Sequence, residues 1–545
     1  MTGPLGRRRL RWRRDLIALV CASLAALPAT AGKPGQEQVS RDFQKTLTLE
    51  TGQSFRIENK FGEVRIHGAS GREVKISATI RVQAHSHDEA DSYAQKIQIA
   101  VQQSSDGVRV RTVYPEGDQR WFHLGRSTSY SVNYDVEMPS DAPLSIRNSF
   151  GTVTATGVRG KSDIENSHGS VTVRDAGPAR LNNSFGSIEL SGAAGDIFLN
   201  DNNGSVQASD IKGALELRNR FGSITARNIQ GPATIVGGNG AVTLADAASA
   251  IITTSFGSAE VRNIRGDLTL HDNNGNVEIS SVGGAAEISN SFGNVTFSEV
   301  KGRMDCRTSN GWVKGSSATG SSVAIRDSFG NIDLDSVGGA LDAETSNGKI
   351  TVRSARGSVI LKSSFGAIEA SDIPKGIRAT TGNGGIVLTD IGGDAYAKTS
   401  FGSIATERVS GNLTAENTNG SVSAKNVKGD ANVSTSFAGV TLESIGGKIT
   451  VENQNGAIHV TATRPASGCR DISLKTSFSS IRVGIPEGLG YNVSARTSFG
   501  RISSELPVTS TGSIDSDSLN GTVGPGGCPL QLTNSNGSIE ITKAP

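Results

Sequence analysis

Carboxylates that recur at one offset in a periodic sequence are the first place to look for hydrolytic chemistry. Glu260 and Glu278 stand 18 residues apart, as do Glu287 and Asp305. If the chain coils with that period, each pair comes within roughly 5 Å, a spacing that a retaining glycosidase can use. Both pairs alternate with apolar residues, however, and so face water. Two coincidences among many repeats are unremarkable, and no catalytic residue is expected. Asp201-Asn202-Asn203-Gly204 and Asp272-Asn273-Asn274-Gly275 have calcium-like composition. They lack the Gly-Gly-x-Gly-x-Asp nonapeptide of calcium rolls, so they read as turns and no metal site is expected. The seven histidines show no ligand spacing, and there is no His-Glu-x-x-His, Gly-x-Ser-x-Gly or phosphate loop. The sequence therefore points to no enzyme and no cofactor. The candidate ligand or partner contacts are aromatic: Trp121 and Phe122 in a polar insertion, and Trp312 where its repeat usually has Ser.

What positions these residues is an internal repeat. Phe-Gly occurs at Phe150, Phe185, Phe221, Phe256, Phe292, Phe329, Phe365 and Phe401. The Phe returns at Phe437 and Phe478 without its Gly, and at Phe499 with it. Midway lie Asn-Gly pairs at Asn203, Asn239, Asn274, Asn310, Asn347, Asn383, Asn419 and Asn455, with His168 in place of the first. A landmark thus falls about every 18 residues. With each landmark at position zero, +3 and +5 are apolar (Ile188 and Leu190, Val277 and Ile279). So are −6 and −4 (Leu215 and Leu217, Met304 and Cys306), and Gly is usual at −8. Short alternating runs are half-buried strands, and Gly supplies the turns.

One such unit cannot bury its apolar stripe, but stacked units can. The expected fold is all-β: a parallel β-solenoid of 18-residue rungs, flat or three-cornered, with a small N-terminal α+β capping region. A 36-residue rung would enclose a void that these small side chains could not fill. At about 4.8 Å per rung, residues 144–545 would form a rod of roughly 100 Å, coiling right-handed like most parallel crossovers. The shared position of the Phe residues argues for packing at a corner rather than a ligand platform.

The boundaries follow from where the repeat stops. Residues 40–140 read as the N-terminal cap, with one helix over 88–97; residues 144–461 are regular repeats. Residues 462–545, where the Phe steps become 41 and then 21, read as irregular rungs and a cap. Residues 1–31 look like a secretory signal peptide: a run of arginines, an apolar stretch from Leu16 to Leu27, then Ala29 and Ala31 at a small-residue cleavage site. That segment holds six Arg and one Asp, so the remainder has 48 basic and 51 acidic residues, a net of −3, and no electrostatic case for nucleic acid. No later stretch is apolar enough for a transmembrane helix. Of the cysteines beyond the leader, Cys306 takes a core position. Cys469 and Cys528, both in Gly/Pro-containing loops, are the candidate disulfide.

The segment Ser54-Phe55-Arg56-Ile57-Glu58-Asn59-Lys60-Phe61-Gly62-Glu63-Val64, the helix near residue 90 and the Val136-Glu137-Met138-Pro139 step carry a resemblance. With the Asn-Gly-Ser-Val and Phe-Gly-Ser-Ile repeats, they make the chain similar to an adhesin family of bacterial envelope proteins, whose function is largely unknown. The resemblance implies the solenoid fold and transfers no functional residue. Together these features lead us to expect an exported structural or adhesive protein, periplasmic, at the cell surface or extracellular. It would bind a polysaccharide, an envelope or surface protein, or copies of itself through solenoid edges. A β-helix polysaccharide lyase or hydrolase is the alternative, and an envelope-stress sensor a third.

Overall fold

The computed structural model describes residues 37–115, 128–464, 468–510 and 515–544. The chain is a parallel β-solenoid with rungs of about 18 residues. Strand residues such as Ala179–Phe185 pair in parallel with Ile197–Asn203, one rung on, and Ile188–Ala193 pair with Val206–Ile211. Each rung therefore contributes one strand to each of two stacked sheets. Eighteen such rungs run without interruption from Leu144 to Thr461.

The inward positions are those the periodicity predicts. Leu181, Ile188, Leu190, Leu215 and Leu217 are all essentially inaccessible. Two further inward positions were not legible. One is +8, filled by Ile211, Ile229, Val282 and Ile445. It follows a residue in the left-handed backbone region at +7, such as Asp210 (φ 58°), Asn228 (φ 53°) or Ser281 (φ 58°). That kink turns the strand, so the rung has a third corner, and Asp, Asn and Ser tolerate it best. The other is −2, a polar position considered below.

The N-terminal cap begins the stack. β2 (Ser54–Phe61) and β3 (Val64–Ala69) pair in parallel with the first regular strands, Phe55 opposite Leu144 and Val64 opposite Val153. They form a rung of their own, and Phe61 takes the landmark position opposite Phe150. Around this rung, β1 (Glu37–Thr48), β4 (Glu73–Ala84) and β7 (Ser129–Pro139) make an antiparallel sheet. Helix α1 (His87–Lys96) packs on it, capped at its start by the Ser86 side chain, which accepts the Glu89 amide. β5 (Gln98–Ser104) and β6 (Gly107–Val113) form a hairpin whose second strand pairs with β2.

The C-terminal end departs from simple stacking. Cys528–Thr533 lies between Ile472–Lys475 and Tyr491–Arg496, parallel to both. Ile539–Ala544 likewise lies between Ile481–Pro486 and Ile502–Ser504. The last rung in sequence is thus inserted one place before the end of the rod. This explains the Phe steps of 41 and 21: in space the order is Phe478, Asn536, Phe499, and the alternation of landmarks is unbroken. Ser518–Val523 then pairs antiparallel with Tyr491–Arg496 and covers the end.

Candidate functional site: an uncharged aromatic corner

The strand alternation changes phase between −2 and +3, and the landmark sits at the change. The −2 side chain still points inward, but the landmark itself turns out. The eleven landmark Phe residues, from Phe150 to Phe499, are 40–78% exposed. Sequence reasoning placed them at a corner, as found, but expected them to be packed there. The corner holds the backbone tightly while leaving the ring outside. In Gly293 (φ +124°), a Cβ would lie 2.0 Å from the Gly275 carbonyl oxygen in the rung before, so no side chain fits beside the landmark there.

Beneath the Phe/Asn row runs the buried −2 ladder. Asn148 Nδ2 donates to Asn166 Oδ1 at 3.1 Å, and Asn166 Nδ2 to Asn183 Oδ1 at 3.3 Å. Each also donates to a turn carbonyl three residues on, as Asn166 does to Gly169 at 2.9 Å. Further along, hydroxyls replace the amides: Ser363 and Thr381 donate to the Gly348 and Gly366 carbonyls at 3.2 and 2.9 Å. Asp201, Asp272 and Asp327 occupy the same position. Burial pushes the Asp201 carboxyl up to about 6, only partly offset by the Asn202 and Asn203 amides. Burial raises Asp272 and Asp327 as well. Asp201 and Asp272 are the acidic residues of the calcium-like turns, and their carboxyls face the interior.

At the N-terminal end the row is a continuous aromatic stack. Phe61 and Phe150 lie 5.3 Å apart, Phe150 and His168 4.6 Å, and His168 and Phe185 4.8 Å, with ring planes within 14° of parallel. The ring faces therefore look along the rod axis, and the edges look out. Beyond Phe185, Phe and Asn alternate in register through Asn203, Phe221, Asn239, Phe256, Asn274, Phe292 and Asn310.

The corner is also nearly free of charge. The thirteen turns from Ser255–Ser258 to Ser477–Ser480, taken from −1 to +2, comprise 52 residues, of which Lys349 alone is charged. The chain average of 19% would put about ten charges there. The Gly corner on the other side of the rung keeps its charges, among them Arg265, Asp267, Lys301, Arg303, Lys428 and Asp430.

Trp312 lies on the aromatic corner, 42% exposed, between Phe292 and Phe329. Trp121 and Phe122 lie outside the described residues. Cys469 and Cys528 are joined by a disulfide, and Cys306 is buried, its thiol pushed up to about 12 chiefly by that burial. Glu260 lies opposite Glu278, and Glu287 opposite Asp305. An arginine stands at each pair: Arg262 bonds Glu260 and reaches Glu278 at 4.0 Å, while Arg307 reaches Glu287 at 3.6 Å and Asp305 at 3.0 Å. The Glu260–Glu278 pair and its guanidinium form an exposed ion pair on a strand face, whereas Asp305, expected to face water, is buried with its carboxylate bonded by both Arg303 and Arg307. Among the described residues, no group of three His, Cys, Asp or Glu side chains is placed to hold a metal, and no helix is long and apolar enough to cross a membrane.

These features define a class, the long parallel β-solenoid with one aromatic corner, and the comparisons go little further. No family model and no curated protein matches the chain. Among solved structures, a "putative cell adhesion protein" from Clostridium sporogenes ATCC 15579 is similar over 46% of this chain and 100% of its own, at 9% identity and a TM-score of 0.15. At that score the likeness carries no argument, and the fold rests on the strand registers themselves.

Proposed function

We propose that this chain is an exported, non-enzymatic structural or adhesive rod of the cell envelope, which binds a surface polysaccharide or a protein partner. The observation that carries this reading is uniformity. Eighteen rungs repeat one cross-section from Leu144 to Thr461, and what they present outward is a repeated surface. A catalytic carboxylate must be free to reach the proton or carbon it acts on. The paired carboxylates at Glu260 and Glu287 are instead bridged by arginines in the ordinary pattern of the exposed faces. The sequence of residues 1–31 supports export.

The test is to incubate the purified protein with a panel of envelope and host polysaccharides, scoring retention and new chain ends together. Retention without cleavage is expected. New chain ends that vanish in Glu260→Gln or Glu278→Gln would replace this reading with an enzyme. Absence of both would turn the search to protein partners, by capture on isolated envelopes.

A further inference from the structure

The aromatic corner has a shape that suits one partner in particular. Beyond Phe185, Phe and Asn alternate on successive rungs, so a ring projects every second rung, about 9.6 Å apart, with the smaller Asn-Gly turn between. The complement of such an edge is the same edge displaced by one rung. We propose that two copies of this chain pair side by side along their aromatic corners, antiparallel, the Phe rings of each seated over the Asn-Gly turns of the other.

Area, charge and ring orientation each support this. A Phe side chain buries about 150–250 Å² when covered. With the eleven rings 40–78% exposed, the row offers on the order of 1,000 Å² of aromatic surface. That meets the roughly 800 Å² that each partner contributes to a standard interface. Trp312 adds to it at mid-rod. Charge comes next: an edge that meets its own copy must not bring like charges together, and this corner keeps Lys349 alone across thirteen turns. A partner of opposite charge would find nothing here to recognise. At the N-terminal end of the row, ring orientation weighs against a glycan as the occupant. Sugars stack on aromatic faces, whereas the rings from Phe61 to Phe185 turn their faces to one another along the rod.

The alternation also survives where chain order does not. The inserted rung places Asn536 between Phe478 and Phe499, so Phe and Asn alternate to the end of the rod. Antiparallel pairing closes as an isologous dimer, using the same patch on both copies. The inference stands apart from the adhesive reading, since a rod can pair with itself whether or not it binds an envelope polymer.

The test is the mass of the full-length protein in solution, by sedimentation velocity and light scattering over a concentration series. The variant Phe329→Asn/Phe365→Asn/Phe401→Asn/Phe437→Asn places at each site the residue that alternate rungs already carry, so the rung geometry is retained and circular dichroism should be unchanged. A second variant, Asn347→Glu/Asn383→Glu, leaves every Phe in place and puts charge at the turns between. We expect a dimer whose dissociation constant rises at least tenfold in each variant. A protein that stays monomeric at its highest soluble concentration overturns the proposal. So does a dimer unaffected by both variants, which would place the contact elsewhere. Binding of polysaccharides in the panel above is read separately and bears on neither outcome.

Discussion

The buried ladder beneath the corner sets the clearest residue-scale consequence. Asn148, Asn166 and Asn183 bond one another in a chain and each bonds a turn carbonyl, because an amide both donates and accepts; Asn148 Oδ1, at the head of the chain, is left without a partner. An ionised Asp at the same position can only accept, among neighbours that chiefly offer carbonyls. Asp201 is 1% exposed, and neither of its carboxyl oxygens has a hydrogen-bond partner of ordinary geometry. Its carboxyl is raised to about 6 in the folded chain, against about 3.9 unfolded. Below pH ~4 both states hold the proton, and Asp201 costs nothing. As pH climbs from about 4 to about 6, the unfolded chain releases its proton first and stability falls. Above that, the penalty is complete at roughly 3 kcal/mol, from two pH units at about 1.4 kcal/mol each. Asp201→Asn is therefore expected to stabilise the protein by about 1–3 kcal/mol at pH 7.5 and to change nothing at pH 4. Denaturant titrations at both pH values check this, and equal effects at both would show that the carboxyl is ionised throughout.

At the scale of the rung, the corner is held by glycine stacked on glycine. Gly293 combines a positive φ with a Cβ position 2.0 Å from the Gly275 carbonyl. Gly293→Ala should cost about 3 kcal/mol, since the methyl must displace backbone on the preceding rung as well as adopt a disfavoured φ. A thermal-unfolding midpoint equal to that of the native protein would contradict this. The strands themselves were legible in the sequence, because +3, +5, −6 and −4 carry apolar side chains in nearly every rung, with Ser162, Gly315 and Thr406 as exceptions. Helix α1 was too, its start marked by Ser86 and the acids Asp88 and Glu89. The kink at +7 was not, because Asp210, Asn228, Ser281 and Arg408 share a backbone conformation rather than a residue type. Nor was the exposure of the Phe row. Alternation counted from −6 and −4 places the landmark inward, counted from +3 and +5 it places it outward, and periodicity cannot tell which strand the turn belongs to. Hence the sequence alone favours packed rings, where the structure exposes them.

Over the whole molecule, stability should be divided by position along the rod, because a rung touches only its neighbours. The C-terminal end depends on the one element that is out of order. The inserted strands Cys528–Thr533 and Ile539–Ala544 separate the rung of Ile472 from that of Tyr491. The strands Tyr491–Arg496 and Ile502–Ser504 pair with the rod through them. In a purely sequential solenoid the last rung could fray without consequence, but here its loss detaches the rung and the covering hairpin beyond it. The Cys469–Cys528 bond ties the inserted rung to the start of the rung it lies on, closing a loop across a sequence separation of 59. A crosslink of that span removes unfolded-state entropy equivalent to about 4 kcal/mol. Reduction, or Cys469→Ser, should therefore act locally. By hydrogen–deuterium exchange we expect loss of amide protection over residues 491–544, with residues 144–461 as protected as before. Cys306, buried in that regular region with its thiol pushed up to about 12, should stay unmodified by alkylating agents in the reduced protein. Protection lost evenly along the rod would mean that the solenoid unfolds as a single cooperative unit. Unchanged protection at the C-terminal end would mean that the inserted rung is held by its strand pairing alone.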